Sequence, residues 1–103
     1  MKSKLSERER QLMLLLLQER TGREVAREFR REHGSPISYG TLYTTLRRLN
    51  EAGFVDVTRE DEDADGRFRY YRLTGAGSKA LSAAIDAMRN DAARATARLR
   101  TVS

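Results

Sequence analysis

The chain of 103 residues contains no cysteine and no tryptophan, one proline and one histidine. Without cysteine there is no disulfide framework, no thiolate metal site and no cysteine nucleophile, a usage that fits a reducing cytosol. Without tryptophan there is no large indole ring to stack on a planar ligand. His33 stands near the expected end of a helix, and no nucleophile or phosphate-binding glycine loop accompanies it, so an enzymatic reading has nothing to build on. Long apolar stretches are missing too. The longest, Leu12 to Leu17, is far too short for a membrane span and is flanked by charge. Neither a signal peptide nor a transmembrane segment is legible, which gives a cytoplasmic expectation with no membrane partner. The basic residues are scattered over several segments instead of facing one apolar stripe, which argues against a membrane-surface role.

What the chain does have is positive charge. Twenty Lys and Arg against fifteen Asp and Glu give a net charge of +5 and a pI near 10.1. A surface of that sign concentrates anionic polymers around it. The length supports one domain with a modest core, which an interface shared between two copies would supplement.

Ser6 and Glu9 match a capping box and predict a first helix from about Ser6 to Glu19. Its run Leu12-Met13-Leu14-Leu15-Leu16-Leu17 covers nearly the whole helix circumference, so this helix needs two partners. A second box, Thr21 with Glu24, opens a shorter helix ending at Gly34, with Val25, Ala26 and Phe29 inward and Arg23, Arg27, Arg30 and Arg31 outward. After the connector Ser35-Pro36, Ser38 caps a third helix in which Leu42, Leu46 and Leu49 mark the buried face and Gly53 the stop. Gly40, Thr41, Thr44, Arg47 and Arg48 fall on the opposite face, with Tyr39 and Tyr43 on a flank.

Phe54 to Arg59 alternates, the acidic stretch from Glu60 to Gly66 reads as a turn, and Arg67 to Leu73 alternates again, which predicts a two-stranded hairpin. On that reading Arg67 and Arg69 share one side, while Phe68 and Tyr70 face the core. Asp61, Asp63, Asp65 and Gly66 imitate the opening of a calcium loop, but Arg72 stands where the closing glutamate belongs, so a solvated turn is the better account and no metal or other cofactor is expected. Beyond Thr74, Gly75 and Gly77 open a last helix whose residues Leu81, Ile85, Met88, Ala92, Ala95, Leu99 and Val102 recur at four and three. That seam fits the same helix of a second copy, or the second face of helix one.

Three helices followed by a hairpin give the order of a winged helix-turn-helix, in which the third helix enters the DNA major groove. The segments Ser38-Tyr39-Gly40-Thr41-Leu42-Tyr43, Leu46-Arg47-Arg48-Leu49, Glu51-Ala52-Gly53-Phe54-Val55 and Gly66-Arg67-Phe68-Arg69-Tyr70-Tyr71-Arg72-Leu73-Thr74 resemble the recognition helix and wing of PadR-like transcriptional regulators, over roughly residues 10 to 85. The chain departs from the family pattern at Thr44, where proline is usual, and at Arg23, where tyrosine is usual.

The expected fold class is therefore mainly α (α+β): three helices plus a two-stranded wing in residues 1–74, and a C-terminal dimerisation helix in 75–103. The resemblance implies a homodimer on double-stranded DNA at an inverted-repeat, palindromic operator, usually a repressor released by a small effector or another signal. For the DNA contacts the sequence nominates Ser38, Tyr39, Gly40, Thr41, Tyr43, Thr44, Arg47, Arg48, Arg67 and Arg69, with Thr41, Thr44 and Arg48 central. Small residues let the helix approach base edges, hydroxyls and guanidiniums hydrogen-bond bases or phosphate, and the tyrosines are either phosphate contacts or core. For dimerisation it nominates Leu81, Ile85, Met88, Ala92, Ala95 and Leu99. A protein-interaction adaptor and an RNA-binding winged helix are the rival readings.

Overall fold

The computed structural model describes residues 5–64 and 66–102. In chain order these form α1 (Glu7–Leu15), β1 (Arg20–Thr21), α2 (Gly22–His33), α3 (Tyr39–Glu51), β2 (Val55–Asp63), β3 (Gly66–Leu73) and α4 (Gly75–Val102). The architecture is a mainly helical α+β winged helix with a long C-terminal helix.

Both capping boxes close. Ser6 accepts from the Glu9 amide at 3.1 Å while Glu9 accepts from the Ser6 amide at 2.8 Å, and Thr21 and Glu24 repeat the exchange at 3.2 and 2.9 Å. Each box satisfies two amides that a helix start leaves free. At the other end of α2, Gly34 takes the left-handed conformation at φ 72° and its amide closes on the Arg30 carbonyl.

The sheet corrects the sequence reading. It has three antiparallel strands in the order β1-β3-β2, not the two of a simple hairpin. Arg20 and Thr21 pair with Tyr71 and Tyr70. The cause lies in α1, which stops at Leu15 instead of continuing to Glu19 because the Leu73 amide takes the Leu16 carbonyl at 2.8 Å. Arg20 then donates to the Leu15 carbonyl at 2.9 Å, covering an acceptor the helix end leaves open. The chain thus leaves the helix axis early and runs beside β3.

The wing also reaches further than expected. Glu60, Asp61, Glu62 and Asp63 are ladder residues of β2, opposite Arg69, Phe68, Arg67 and Gly66, and not a turn. Asp65 of the calcium-loop imitation lies outside the described residues; Asp61 and Asp63 belong to the ladder, where Asp61 pairs with Arg59 at 2.7 Å. A bulge at Thr58 lets Val57 pair with Tyr71 and Arg59 with Tyr70. β3 itself is unbroken, so alternation from the core-packed Leu73 puts Tyr71, and not Phe68 or Tyr70, in the core position. Phe68 and Tyr70 are half-buried, and their rings lie under the guanidiniums of Arg23 at 5.1 Å and Arg59 at 3.7 Å.

Leu12, Met13, Leu16, Val25, Leu42, Leu46, Leu49 and Val55 are fully buried and form the centre of one core. Leu81 belongs to the same core and Ile85 packs against it, so the first two seam residues are used within the chain. From Met88 to Val102 every residue of α4 is exposed. That projection raises the radius of gyration to 16.4 Å, against about 13 Å for a compact chain of this length.

Candidate nucleic-acid interface

α3 owes its orientation to four buried side chains, Leu42, Thr45, Leu46 and Leu49, which leave the opposite face to solvent. Thr45 is the one polar member of that set, and its hydroxyl donates back to the Thr41 carbonyl at 2.7 Å, so it is satisfied where it is buried. On the outer face Gly40, Thr41, Arg47 and Arg48 are exposed and Thr44 is half-buried. Nothing lies within 4 Å of where a Gly40 side chain would begin, so packing inside the chain does not require glycine there. The space in front of Gly40 is open to a partner.

The nominated residues differ in how free they are. Ser38 is occupied as the cap of α3, accepting from the Thr41 amide at 3.2 Å and donating to the Thr41 hydroxyl at 3.0 Å. Arg47 stands 4.0 Å from Glu51 one turn on, while Arg48 has no ion pair among the described residues. Tyr39 and Tyr43 are not core: they are 56% and 44% exposed and stack on each other with ring centres 6.1 Å apart. Burial of part of its ring, followed by the nearby Tyr71 and Tyr39, holds the Tyr43 hydroxyl above its ordinary pKa, so it remains a hydrogen-bond donor at neutral pH. Tyr43 lies directly over Gly22 at the start of α2, where any side chain would overlap its hydroxyl. Arg67 and Arg69, in contrast, are tied to Glu62 and Glu60, each at 3.1 Å.

Arg23, Arg27 and Arg30, outward residues of α2 that the sequence does not nominate for DNA contact, also border this face. They recur at four and three residues, hence on one stripe, and all are exposed without an ion pair among the described residues. The stripe lines an open groove of about 430 Å³ whose other walls include Pro36, Ile37 and Tyr39, the first residue of α3. At its far end Arg23 also lines a smaller hollow with Tyr43, Arg67, Phe68 and Arg69. The unpaired arginines of α2 thus run past the start of α3, and Arg23 brings them to the edge of the wing. The signal that could have found it was the departure at Arg23 together with its repeat at Arg27 and Arg30.

The wing base is held by the turn after α1. Glu19 accepts from the Thr58 hydroxyl at 2.6 Å and from Arg59 Nε at 3.2 Å, and these two bonds, Thr58 first, lower its pKa. The bulge residue is thereby tied to the turn after α1.

A third helix with one face in the core and the other open to solvent, flanked by a hairpin and a second helix, defines a winged-helix protein. The chain belongs to the PadR-like family of transcriptional regulators, whose family model matches residues 12–83. An uncharacterized protein of Lysinibacillus sphaericus is 32% identical over 73 residues, covering 69% of this chain and 67% of that one. The crystal structure of a PadR family transcriptional regulator from Eggerthella lenta superposes with a TM-score of 0.72 at 24% identity, over 88% of this chain and 79% of that one. Bacillus subtilis PadR, solved in complex with operator DNA, superposes with a TM-score of 0.66 at 22% identity, over 74% of this chain and 45% of that one. At these identities the two structures share the fold with this chain. The family is one of transcriptional regulators. No described helix is long and apolar enough to cross a membrane.

Proposed function

We propose that this chain is a cytoplasmic, sequence-specific DNA-binding repressor that works as a homodimer on an inverted-repeat operator. The observation that carries the reading is the outer face of α3, where Gly40, Thr41 and Arg48 are exposed with open space in front of Gly40. Thr41, Thr44 and Arg48 read base edges, while Tyr39, Tyr43 and the α2 arginines hold phosphate. Operator DNA bound to the related Bacillus subtilis PadR supports the same class of partner.

Residues 1–74 form the DNA-binding part and α4 the dimer-forming part. Two features support a second copy as the occupant of α4. Leu14 on α1 and Ile85 and Met88 on α4 line an apolar groove, and Leu17, Leu99 and Val102 extend the uncovered apolar surface. Met88, Ala92, Ala95 and Leu99 continue along the helix at seam spacing, with small residues in the middle that let two helices approach closely. A dimer then presents two α3 helices about one duplex turn, roughly 34 Å, apart. Any effector, a small molecule included, acts by favouring one dimer geometry over another.

Selection of genomic fragments by the purified chain at physiological salt, with competitor DNA present, tests the DNA reading. An inverted repeat is the expected recovery, and no preferred sequence overturns it. Truncation after Met88 tests the assembly. It removes residues outside the core of one copy, so the remaining chain still folds, with a thermal midpoint that is lower and no longer depends on protein concentration because the interface has ceased to contribute. The mass by light scattering falls from dimer to monomer; a truncated chain that stays dimeric removes the later seam from the interface.

A further inference from the structure

The wing brings its own carboxylates to the surface that the reading above turns towards phosphate. Between residues 55 and 73 six Asp and Glu stand against four Arg, so the wing is net negative in a chain whose overall charge is +5. The ladder places Glu60 opposite Arg69 and Glu62 opposite Arg67. Arg69 Nε lies 3.1 Å from Glu60 Oε1, and Arg67 reaches Glu62 Oε1 through Nε at 3.3 Å and Nη2 at 3.1 Å. Both pairs are exposed, so neither is a device for holding a core together. Strand register keeps each carboxylate next to its guanidinium, and an incoming phosphate has to displace it.

Resting on the DNA-binding reading, we propose that Glu60 and Glu62 are intramolecular competitors of the phosphate backbone, which withhold Arg69 and Arg67 and so limit the sequence-independent part of DNA affinity. Arg23, Arg27 and Arg30 of α2, which have no ion pairs among the described residues, then supply the phosphate grip, while the wing is held close to the duplex by shape without adding much charge. Limiting the backbone term shortens the time spent on non-operator DNA, because that term is what non-specific binding consists of. The same logic explains why the wing keeps arginines at all: they are positioned, but partnered.

The experiment is a double-mutant cycle on the full chain, read as the dissociation constant for a mixed-sequence duplex over a salt series. Glu60→Gln with Glu62→Gln keeps side-chain shape and removes both competitors. Relative to the unaltered chain, that variant is expected to bind about tenfold tighter, with the log–log salt slope steeper by about 1.8 per protomer, the value for two newly neutralised phosphates. In a background already carrying Arg67→Ala and Arg69→Ala, the same two glutamine substitutions gain less than about threefold, since only the general field changes. An equal gain in both backgrounds, or no gain with the arginines present, overturns the proposal while leaving DNA binding intact. If the unaltered chain binds no duplex even at low salt, the DNA-binding reading fails and the proposal falls with it.

Discussion

Gly77→Ala is expected to lower the stability of the fold by about 3 kcal/mol, seen as a fall of about 15 °C in the thermal midpoint. The single added methyl would overlap the Phe54 carbonyl oxygen and stand 2.8 Å from Leu73 Cδ1. A side-chain tip can swing aside, but a backbone carbonyl cannot. This one also accepts from the Thr74 amide at 3.0 Å and so holds the start of α4 to the end of α3. Thr74 closes the same corner from its other side, donating to the Gly53 carbonyl at 2.6 Å and accepting from the Gly77 amide at 3.0 Å. The methyl can be accommodated only by moving α4 away, which uncovers Leu81 and Ala84. Gly75→Ala is the control, because nothing lies within 4 Å of a side chain there and alanine is the better helix former. Midpoints measured by circular dichroism on the three proteins decide the matter: equal midpoints for the Gly77 variant and the unaltered chain would show that the α3–α4 corner can relax.

That corner also shows which part of the fold is legible in the sequence. A glycine at the start of a helix reads as helix-start geometry, which accounts for its conformation but not for the carbonyl pressed against it. The contact joins residues 54 and 77, and no local pattern encodes it. The capping boxes, in contrast, are complete within four residues, and both form with the expected partners. The burial of Leu42, Leu46 and Leu49 follows from spacing alone. Arg20 and Thr21 carry no alternation long enough to announce a strand. They pair because α1 ends early, and α1 ends early because Leu73, far along the chain, takes its Leu16 carbonyl.

The wing failed for a related reason. Four consecutive acidic residues look like a solvated turn when read alone, and become strand residues once Arg67 and Arg69 face Glu62 and Glu60. Cross-strand charge pairing is a property of the register, and the register depends on a one-residue bulge at Thr58. Alternation along β3 from the core-packed Leu73 gives the core position to Tyr71 and not to Tyr70. The outer face of α3 was legible because it needs only helical periodicity. Its two cations differ for an equally local reason: Arg47 has Glu51 one turn on, and Arg48 has no ion pair among the described residues.

Partner accounting leads to the largest effect expected on DNA binding. Arg23, Arg27 and Arg30 span about 10 Å along α2 and point away from the core. Replacing all three by alanine is expected to weaken binding on the order of 100-fold or more on every duplex, operator or not, because phosphate contacts carry no sequence information. The salt slope should flatten by about 2.7 per protomer, the value for three lost phosphate contacts. Arg31→Ala is the matched control, since Arg31 lies further round the helix, 3.9 Å from Glu28. Arg23 has a second role, because its guanidinium lies over Phe68 and joins α2 to the wing. Arg23→Lys keeps the charge with weaker stacking, so it separates the two roles. A uniform loss with Arg23→Ala that lysine restores assigns the residue to phosphate, whereas a loss that lysine does not restore assigns it to holding the wing against α3. If the triple variant binds as tightly as the control at every salt concentration, the duplex does not touch α2, and the recognition helix must meet its partner from the wing side alone.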